Sequence, residues 1–138
     1  MFNFTETSRD AEALIISRED PSTPFPEIWI PSDDVGQTLL IIRFKGSVVG
    51  FALIASFFGN IEIHRFFIRP NKRRAGFGTA AATALVKYLH KALDTSIDIE
   101  AIDDRSERMW RRALAGIPHY DHGLGKFSAY WDPTQDRS

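Results

Sequence analysis

The sequence predicts an α+β domain built around a mixed β-sheet, and three observations carry this prediction. Three runs of β-branched and aromatic residues, at 37–44, 47–58 and 60–69, follow one another across short turns, which is typical of an antiparallel meander. A segment at 76–93 then has apolar residues at helical spacing, and an alternating strand follows at 96–102. A length of 138 residues suits one domain, which we expect to span residues 1–138.

The remaining segments complete this arrangement. Residues 2–4 form a short apolar start, and the segment after it suits an amphipathic helix capped by Thr7 or Ser8. Four prolines between positions 21 and 31 exclude a regular helix there, so residues 19–34 are expected to form an acidic, aromatic loop. A short helix at 104–116 and a last strand at 125–131 end the chain.

Composition excludes several classes of function. The chain has no cysteine, which rules out disulfides, thiolate metal sites and a cysteine nucleophile. No apolar run approaches the roughly 20 residues that a membrane span needs, and the first residues lack the basic start and apolar centre of a secretory signal. We therefore expect a cytoplasmic protein with no membrane partner.

Charge is sorted along the chain. Residues 1–36 carry eight acidic side chains against two arginines, whereas residues 37–138 carry fifteen basic side chains against ten acidic ones. Either an acidic surface meets a cationic substrate and a basic surface meets an anionic one, or both are simply solvated faces.

The clearest motif is RPNKRRAGFGTAAATALVKYL at 69–89, where basic residues lead into two glycines and a predicted helix. A P-loop is excluded because neither glycine is followed by the required lysine. Gly76-x-Gly78-x-x-Ala81 matches the letters of a dinucleotide fingerprint, and acidic residues follow about twenty positions later. In that fingerprint, however, the first glycine turns directly off the strand, whereas seven residues separate Ile68 from Gly76 here.

A third interpretation of the motif needs neither template. Exposed amides at the amino terminus of a helix bind anions, and the helix dipole adds to the attraction. Arg73 and Arg74 can donate charge-assisted hydrogen bonds, and Lys72 adds long-range attraction. The pattern therefore predicts a diphosphate site, the alternative being glycines that only permit a tight helix start. Nucleic acid is not expected, because a recognisable binding motif is missing.

The hexapeptide RRAGFG at 73–78 resembles the signature Arg/Gln-x-x-Gly-x-Gly/Ala of the GCN5-related N-acetyltransferases (GNAT). The order of predicted elements is similar to that family over nearly the whole chain. The resemblance implies the GNAT fold, a mostly antiparallel twisted sheet that splays between its fourth and fifth strands and is flanked by about four helices. It also implies transfer of acetyl from acetyl-coenzyme A to a primary amine, by direct attack in a ternary complex.

In this family the coenzyme lies in a V between the fourth and fifth strands, here residues 61–68 and 96–102. The resemblance implies that the diphosphate binds the amides of residues 73–79 and that the pantetheine pairs with the edge of the fourth strand. One of the loop amides would also polarise the thioester carbonyl. The residues assigned to the coenzyme in this way are Phe66, Phe67, Ile68, Arg73, Arg74, Ala75, Gly76, Phe77, Gly78, Thr79, Asp103 and Ser106.

Two residues are candidates for the catalytic base. An attacking amine must be neutral, and an ammonium with a pKa of about 10.4 needs a base or a water relay near neutral pH. Glu62 stands where some family members carry a glutamate base. Strand alternation predicts that Glu62 shares a face with His64, Phe66 and Ile68, which makes His64 the second candidate. The competing interpretation for both is a polar residue on a half-exposed strand.

The segment after the fifth strand departs from the family pattern. Many members carry Asn-x-x-Ala-x-x-x-Tyr there, and the tyrosine protonates the leaving thiolate, but Asp103 and Trp110 occupy the first and last positions here. An indole cannot act as that acid, so the proton would come from water, Tyr120 or Tyr130. This departure motivates a second hypothesis, a binding or structural protein that keeps the fold and the coenzyme without turnover.

Further expectations concern the acceptor, metals and partners. The acidic loop at 19–34 would lie where the family admits its acceptor, which suggests a cationic amine such as a protein lysine, an amino terminus or a polyamine. HYDH at 119–122 is a weak metal pattern without a third distant ligand, so we expect a surface loop and no metal. The apolar end strand FSAYW at 127–131 is expected to recruit a second copy in a homodimer.

Overall fold

The computed structural model describes residues 1–23, 25–73 and 76–135, and seven strands in this part of the chain form one sheet. The strands are β1 (Phe2–Thr7), β2 (Gly36–Phe44), β3 (Ser47–Phe57), β4 (Asn60–Ile68), β5 (Ile97–Glu100), β6 (His119–Gly123) and β7 (Lys126–Ala129). Their spatial order is β1-β2-β3-β4-β5-β7-β6. Every neighbouring pair is antiparallel except β4 and β5, which are parallel.

Three α-helices accompany the sheet in the described residues: α1 (Ala11–Ser17), α2 (Phe77–Leu93) and α3 (Asp104–Ala113). Short 3₁₀ turns occur at Pro70–Lys72 and Pro133–Gln135. The family resemblance implied about four helices, but residues 18–23 and 25–35 form only turns and irregular backbone, as the prolines predicted. None of the helices in the described ranges is long and apolar enough to cross a membrane.

Two apolar clusters cover the two faces of the sheet. Helices α2 and α3 pack on one face, where Leu85, Trp110 and Phe127 are buried together. Helix α1 and the loop after it cover the other face over β2, β3 and β4, where Ile16 and Phe25 pack with buried side chains of those strands. We call these the helical face and the loop face.

The predicted meander is confirmed. Strands β2 and β3 join through Lys45 and Gly46, both with positive φ, as the tight hairpin turn requires. Strands β3 and β4 join through Phe58 and Gly59, which also have positive φ, so this turn begins one residue earlier than the sequence suggested.

Strand β4 contains a bulge that opens the sheet. Leu53 of β3 pairs with Arg65 and Ile54 pairs with Ile63, so His64 is an extra residue with no partner in β3. An extra residue bends its strand and increases the local twist. On the other side of β4, pairing with β5 stops at Ile63, opposite Ile99. The sheet therefore splays between its fourth and fifth strands, as the resemblance implied.

Two local predictions are wrong. Helix α1 begins after Asp10 and has no side-chain cap, because Thr7 is still in β1 and pairs with Leu39. The HYDH segment is strand β6, not a surface loop, since positive φ angles at Gly123, Leu124 and Gly125 turn the chain back into β7.

The expected dimer surface depends on FSAYW being an end strand of the sheet, and this expectation is also wrong. Strand β7 is not at the edge of the sheet, because β5 pairs with it on one side and β6 on the other. Phe127 and Ala129 are buried in the helical-face core. Among the described strands the edges are β1 and β6.

Candidate active site

A cavity opens where β4 and β5 separate. Its floor comes from the end of β4 and its sides from the amino termini of α2 and α3, with Thr23 and Phe25 of the loop above it. Ten of the twelve residues predicted to bind the coenzyme line this one cavity: Phe66, Phe67, Ile68, Arg73, Gly76, Phe77, Gly78, Thr79, Asp103 and Ser106. The other two, Arg74 and Ala75, lie outside the described residues.

The amino terminus of α2 faces this cavity without a side-chain cap. Gly76 is the residue before the helix and has a φ of 77°, which favours glycine. The first intrahelical hydrogen bond runs from the Ala80 amide to the Gly76 carbonyl at 2.9 Å. The amides of residues 76–79 therefore have no partner within the helix. Four amides without intrahelical partners, together with the positive end of the helix dipole, are able to bind an anion here.

Arg73 contributes its side chain to the cavity wall, but its amide is not free. The Arg73 amide donates to the Pro70 carbonyl at 3.2 Å inside the 3₁₀ turn. The prediction that the diphosphate binds the amides of residues 73–79 is therefore wrong for Arg73. The guanidinium donates to the Ile68 carbonyl at 2.6 Å and lies 5.0 Å from the centre of the Phe67 ring.

Asp20 links the loop to this wall. Its carboxylate accepts from Arg73 Nη1 at 2.5 Å and lies 3.6 Å from Arg105 Nη2. Hydrogen bonds from the Ser22 hydroxyl and from Arg73 hold the pKa of Asp20 well below its usual range. The Glu19 carboxylate accepts two hydrogen bonds from the Arg69 guanidinium, at 2.7 and 3.0 Å, and forms a bidentate ion pair. Two acids of the loop are thus neutralised by arginines next to the cavity.

The edge of β4 beyond His64 is open toward the cavity. Phe66, Phe67 and Ile68 pair with β3 on one side only, because pairing with β5 has already ended at Ile63. An extended chain can add to such an edge through main-chain hydrogen bonds. Strands β3 and β4 approach so closely here that a Cβ on Gly50 would lie 1.9 Å from the Phe67 carbonyl oxygen, so only glycine fits.

The bulge changes which side chains share a face of β4. Ile63, Phe66 and Ile68 pack in the helical-face core, whereas Phe67 packs in the loop-face core. Glu62 hydrogen-bonds His64 rather than entering the helical core, so the alternation expected to place Phe66 and Ile68 beside them is wrong. One extra residue at position 64 shifts the phase of the strand.

Glu62 and His64 form a pair on the loop face. The distance from His64 Nδ1 to Glu62 Oε2 is 3.2 Å, and the two side chains are 29% and 21% exposed. Arg65 lies beside them with its guanidinium 5.1 Å from the centre of the Phe25 ring. Burial lowers the pKa of Arg65, and the negative charge of Glu62 acts in the opposite direction. The pair is therefore partly exposed to solvent, on the face of the sheet where the loop packs.

A polar network extends this face across β5, β7 and β6. Asp98 stands opposite Glu62 in the parallel register of β4 and β5. Ser128 Oγ lies 2.8 Å from Asp98 Oδ1 and 2.7 Å from His122 Nε2. The Tyr120 ring packs against His122 at 4.8 Å. Sequence inspection missed this network because its members lie on three strands and meet only when the sheet forms.

Helix α3 supplies the other wall. Asp103 and Ser106 line the cavity, but both are engaged in a reciprocal cap in which each side chain bonds the backbone of the other residue. Trp110 is only 2% exposed and lies 5.3 Å from the Phe66 ring, so it is a packing residue. Arg105 and Arg112 also line the cavity and were not predicted.

No group of three potential ligands that could hold a metal occurs within residues 1–23, 25–73 and 76–135. In the HYDH segment, His119 bonds the Ile117 carbonyl and His122 bonds Ser128, while Asp121 pairs with Arg111. Hydrogen bonds from the Gly123 amide and from Arg111 lower the pKa of Asp121. Each of the three side chains therefore already has a protein partner.

Comparison with solved structures supports the fold. An acetyltransferase from Bacillus subtilis in complex with CoA has a TM-score of 0.61 at 11% identity, over 94% of this chain and 97% of that chain. The ribosomal-protein-S18-alanine N-acetyltransferase from Escherichia coli has a TM-score of 0.57 at 15% identity, over 94% and 90%.

A tandem GNAT protein from the clavulanic acid biosynthesis pathway has a TM-score of 0.57 at 17% identity and covers 86% of this chain. The present chain spans 46% of that tandem protein. At these identities the likeness establishes the fold alone.

Comparison of the sequence itself identifies the family. No curated protein matches it. The sequence model of the acetyltransferase (GNAT) family matches residues 5–115, which include the meander, the glycine loop, α2, β5 and α3. With this match over most of the chain, and with the uncapped helix at the mouth of a splayed sheet, the chain belongs to the GNAT family of acetyltransferases.

Proposed function

We propose that this protein transfers acetyl from acetyl-coenzyme A to a primary amine, by direct attack in a ternary complex. The observation that carries the proposal is the uncapped amino terminus of α2, which opens into the cavity between β4 and β5. Four amides without intrahelical partners suit a diphosphate. The open edge of β4 begins next to them, so one ligand can use both features.

The residues present fit coenzyme A along the whole cavity. The diphosphate would bind the amides of residues 76–79, with Arg73, Arg105 and Arg112 supplying positive charge from the walls. Arg74 and Ala75 belong to the same proposed loop. The pantetheine arm would add to the open edge at residues 66–68. Asp103 and Ser106 would contact the ligand from α3, where their mutual cap holds them in place.

The chain's own groups supply the chemistry around the thioester. A backbone amide facing the cavity would donate to the thioester oxygen, where negative charge develops during attack. The Glu62–His64 pair lies at the point where β4 and β5 separate, and it supplies the base for the incoming amine.

The acceptor enters from the loop face, and we propose that it is cationic before it loses its proton. The loop acids Glu27, Asp33 and Asp34 are exposed and are without ion pairs to described residues. Asp98 and Glu62 add carboxylates on the same face of the sheet. A protein lysine, an amino terminus and a polyamine all fit this charge. The E. coli neighbour is an alanine N-acetyltransferase by name, which is compatible with an amino terminus.

A second candidate function has its own observation in support. Trp110 fills the position where many relatives carry the tyrosine acid, and it is buried against Phe66. A protein that binds the coenzyme without turnover would tolerate this replacement. In either case we propose a single GNAT domain over 1–138, a cytoplasmic location, no resident metal, and a homodimer.

Two measurements test the proposed function. Calorimetric titration with acetyl-coenzyme A is expected to give one site per chain, and absence of binding would contradict both candidates. Thiol release is then followed with a panel of lysine peptides, amino-terminal peptides and polyamines. Release that depends on one acceptor class supports the enzyme, while binding without release from any acceptor supports the second candidate.

A further inference from the structure

The cavity offers no conventional acid for the departing thiolate. Its titratable lining residues in the described part of the chain are three arginines, which do not give up a proton, and Asp103, which is engaged in the cap of α3. Trp110 has no hydroxyl group. A proton donor must therefore come from elsewhere.

The tyrosines do not fill this role. Tyr88 packs against Phe4 at 5.0 Å, and Tyr120 packs against His122 on β6. Tyr130 lines a different groove beside β1. None of the three stands on β4 or β5 at the point where these two strands separate. The remaining sources of a proton are water and a side chain at the point where β4 and β5 separate.

His64 is the side chain at that point. An ionised Glu62 can only accept a hydrogen bond, so His64 Nδ1 must carry the hydrogen of their 3.2 Å contact. In the neutral ring this leaves a lone pair on Nε2. No other described residue hydrogen-bonds the His64 ring, so Nε2 is free to meet a substrate. Glu62 thus fixes both the tautomer and the orientation of the imidazole.

The bulge places residue 64 at the inner end of the open edge of β4, directly after the last β4–β5 pair. A ligand that starts at the helix amides and follows the open edge passes Ile68 and then Phe66. Going back along β4 from Phe66, the ligand next reaches the bulge at residues 64 and 65. These residues follow directly after Ile63, the last residue of β4 that pairs with β5. Bulges re-aim side chains near active sites, and here the extra residue is His64 itself.

Building on the proposed function, we propose that His64, oriented by Glu62, carries one proton through both halves of the transfer. The acceptor arrives as a neutral amine, its ammonium proton having passed to solvent. As the C–N bond forms, His64 Nε2 takes a proton from the nitrogen. As the C–S bond breaks, the imidazolium returns that proton to sulfur, so the products are an amide and a neutral thiol. The missing tyrosine is then not needed.

The sharpest kinetic test compares an active alkylamine acceptor with its aminooxy analogue, whose nitrogen is already uncharged at neutral pH. If His64 only removed the ammonium proton, the defect of His64→Gln would vanish with the aminooxy acceptor. Because the nitrogen must still lose a proton after attack, we expect kcat to fall about 100-fold or more with both acceptors. Similar kcat values for His64→Gln and wild type, or a defect confined to the alkylamine, would overturn the proposal.

A second readout is independent of turnover. Nitrogen chemical shifts of the His64 imidazole in the free protein are expected to identify the Nδ1–H tautomer, and Glu62→Gln is expected to give a mixture of tautomers with a smaller loss of kcat. A wild-type ring with hydrogen on Nε2 would refute the orientation by Glu62. His119→Gln, which changes a histidine bonded to the Ile117 carbonyl, is the matched control.

The outcomes separate this inference from the function on which it rests. Wild-type protein that releases no thiol with any amine overturns both. Wild-type turnover that survives in His64→Gln overturns only the inference, and leaves the acetyltransferase in place. Retained acetyl-coenzyme A binding by His64→Gln, measured by calorimetry, is expected and shows that the variant is folded.

Discussion

The Arg73 guanidinium and the Asp20 carboxylate meet at 2.5 Å although 53 positions separate them in the chain. Arg73 opens the family signature, and Asp20 lies in the loop over the loop face. Arg105 of α3 approaches the same carboxylate. This contact ties the loop over the loop face to the wall of the cavity between β4 and β5.

Asp20→Asn is expected to destabilise the protein. The Asp20 side chain is only 11% exposed, and a hydrogen-bonded charge of this kind contributes about 1–2 kcal/mol to the free energy of unfolding. Urea denaturation at neutral pH measures the loss, with the exposed Asp33→Asn of the same loop as control. Equal stability of the two variants would contradict the role of this ion pair.

The Asp20 contribution should also depend on pH in one direction. Its folded pKa lies below the unfolded value of 3.8, so the stabilisation is fully present above about pH 4 and is lost as pH falls further. Denaturation curves of wild type and Asp20→Asn are therefore expected to converge at acid pH. A constant gap down to pH 2 would argue that the carboxylate charge is not responsible.

Gly78→Ala is expected to weaken coenzyme binding without weakening the fold. Among the described residues, a Cβ at this position has only Ile68 Cγ1 nearby, at 4.0 Å, so the helix accepts it, but Gly78 lines the cavity beside the free amides. We expect the Kd for acetyl-coenzyme A to rise about tenfold or more, since backbone approach to phosphate is blocked. Calorimetry and thermal melting measure the two effects.

The matched control for Gly78 is Gly116→Ala. A Cβ on Gly116 would meet no atom of the described part of the chain within 4 Å, and Gly116 does not line the cavity between β4 and β5. Its affinity for acetyl-coenzyme A should equal that of the wild type. A similar loss of affinity in both variants would mean that the amide cradle is not the binding element.

His90 is expected to make stability fall on the acid side of neutrality. It is 3% exposed and lies 3.0 Å from the Ala129 carbonyl, and burial lowers its pKa below the usual 6.5. The unfolded chain therefore binds the proton first, so stabilisation is complete above about pH 6.5 and is lost as pH falls below it. The slope is at most about 1.4 kcal/mol per pH unit.

His90→Gln tests this directly. A glutamine amide can donate to the Ala129 carbonyl but does not titrate, so its unfolding free energy should lack the slope between pH 6.5 and pH 5. Urea midpoints measured across that range give the comparison. The same slope in both proteins would assign the pH dependence to other groups.

Ser128→Ala is expected to affect the acceptor rather than the coenzyme. Ser128 holds Asp98 and His122 together on the loop face, away from the coenzyme cavity. The KM for the amine should rise several-fold while the Kd for acetyl-coenzyme A stays unchanged, with Ser47→Ala at the exposed start of β3 as control. An unchanged KM would remove this network from the acceptor site.

Much of the fold was predictable because local patterns and chain order agree. The β-branched runs, the tight turns and the alanine-rich helix specify the meander and the crossover, and the glycine signature marks the helix terminus that faces the cavity. Ten predicted coenzyme residues meet in one cavity for this reason.

The remaining features depend on contacts between distant segments. Nothing near Asp20 in the sequence points to Arg73, and the Asp98–Ser128–His122 network needs three strands to be in register. The bulge at His64 inverted the alternation of β4, and such a shift is set by pairing with β3 rather than by the residues of β4 alone. Strand β6 was missed because its polar residues lack the usual strand pattern.

The position of the bulge also sets the length that the arm of the proposed acyl donor must have. Four residue steps of β4, from His64 to Ile68, separate the bulged histidine from the end of the strand, a span of about 13 Å at roughly 3.3 Å per residue. In the proposed mechanism, a donor anchored at the helix amides needs an arm of matching length to bring its sulfur to the His64 imidazole. The proposed geometry therefore selects a donor by the length of its arm, independently of the chemical identity of the acyl group.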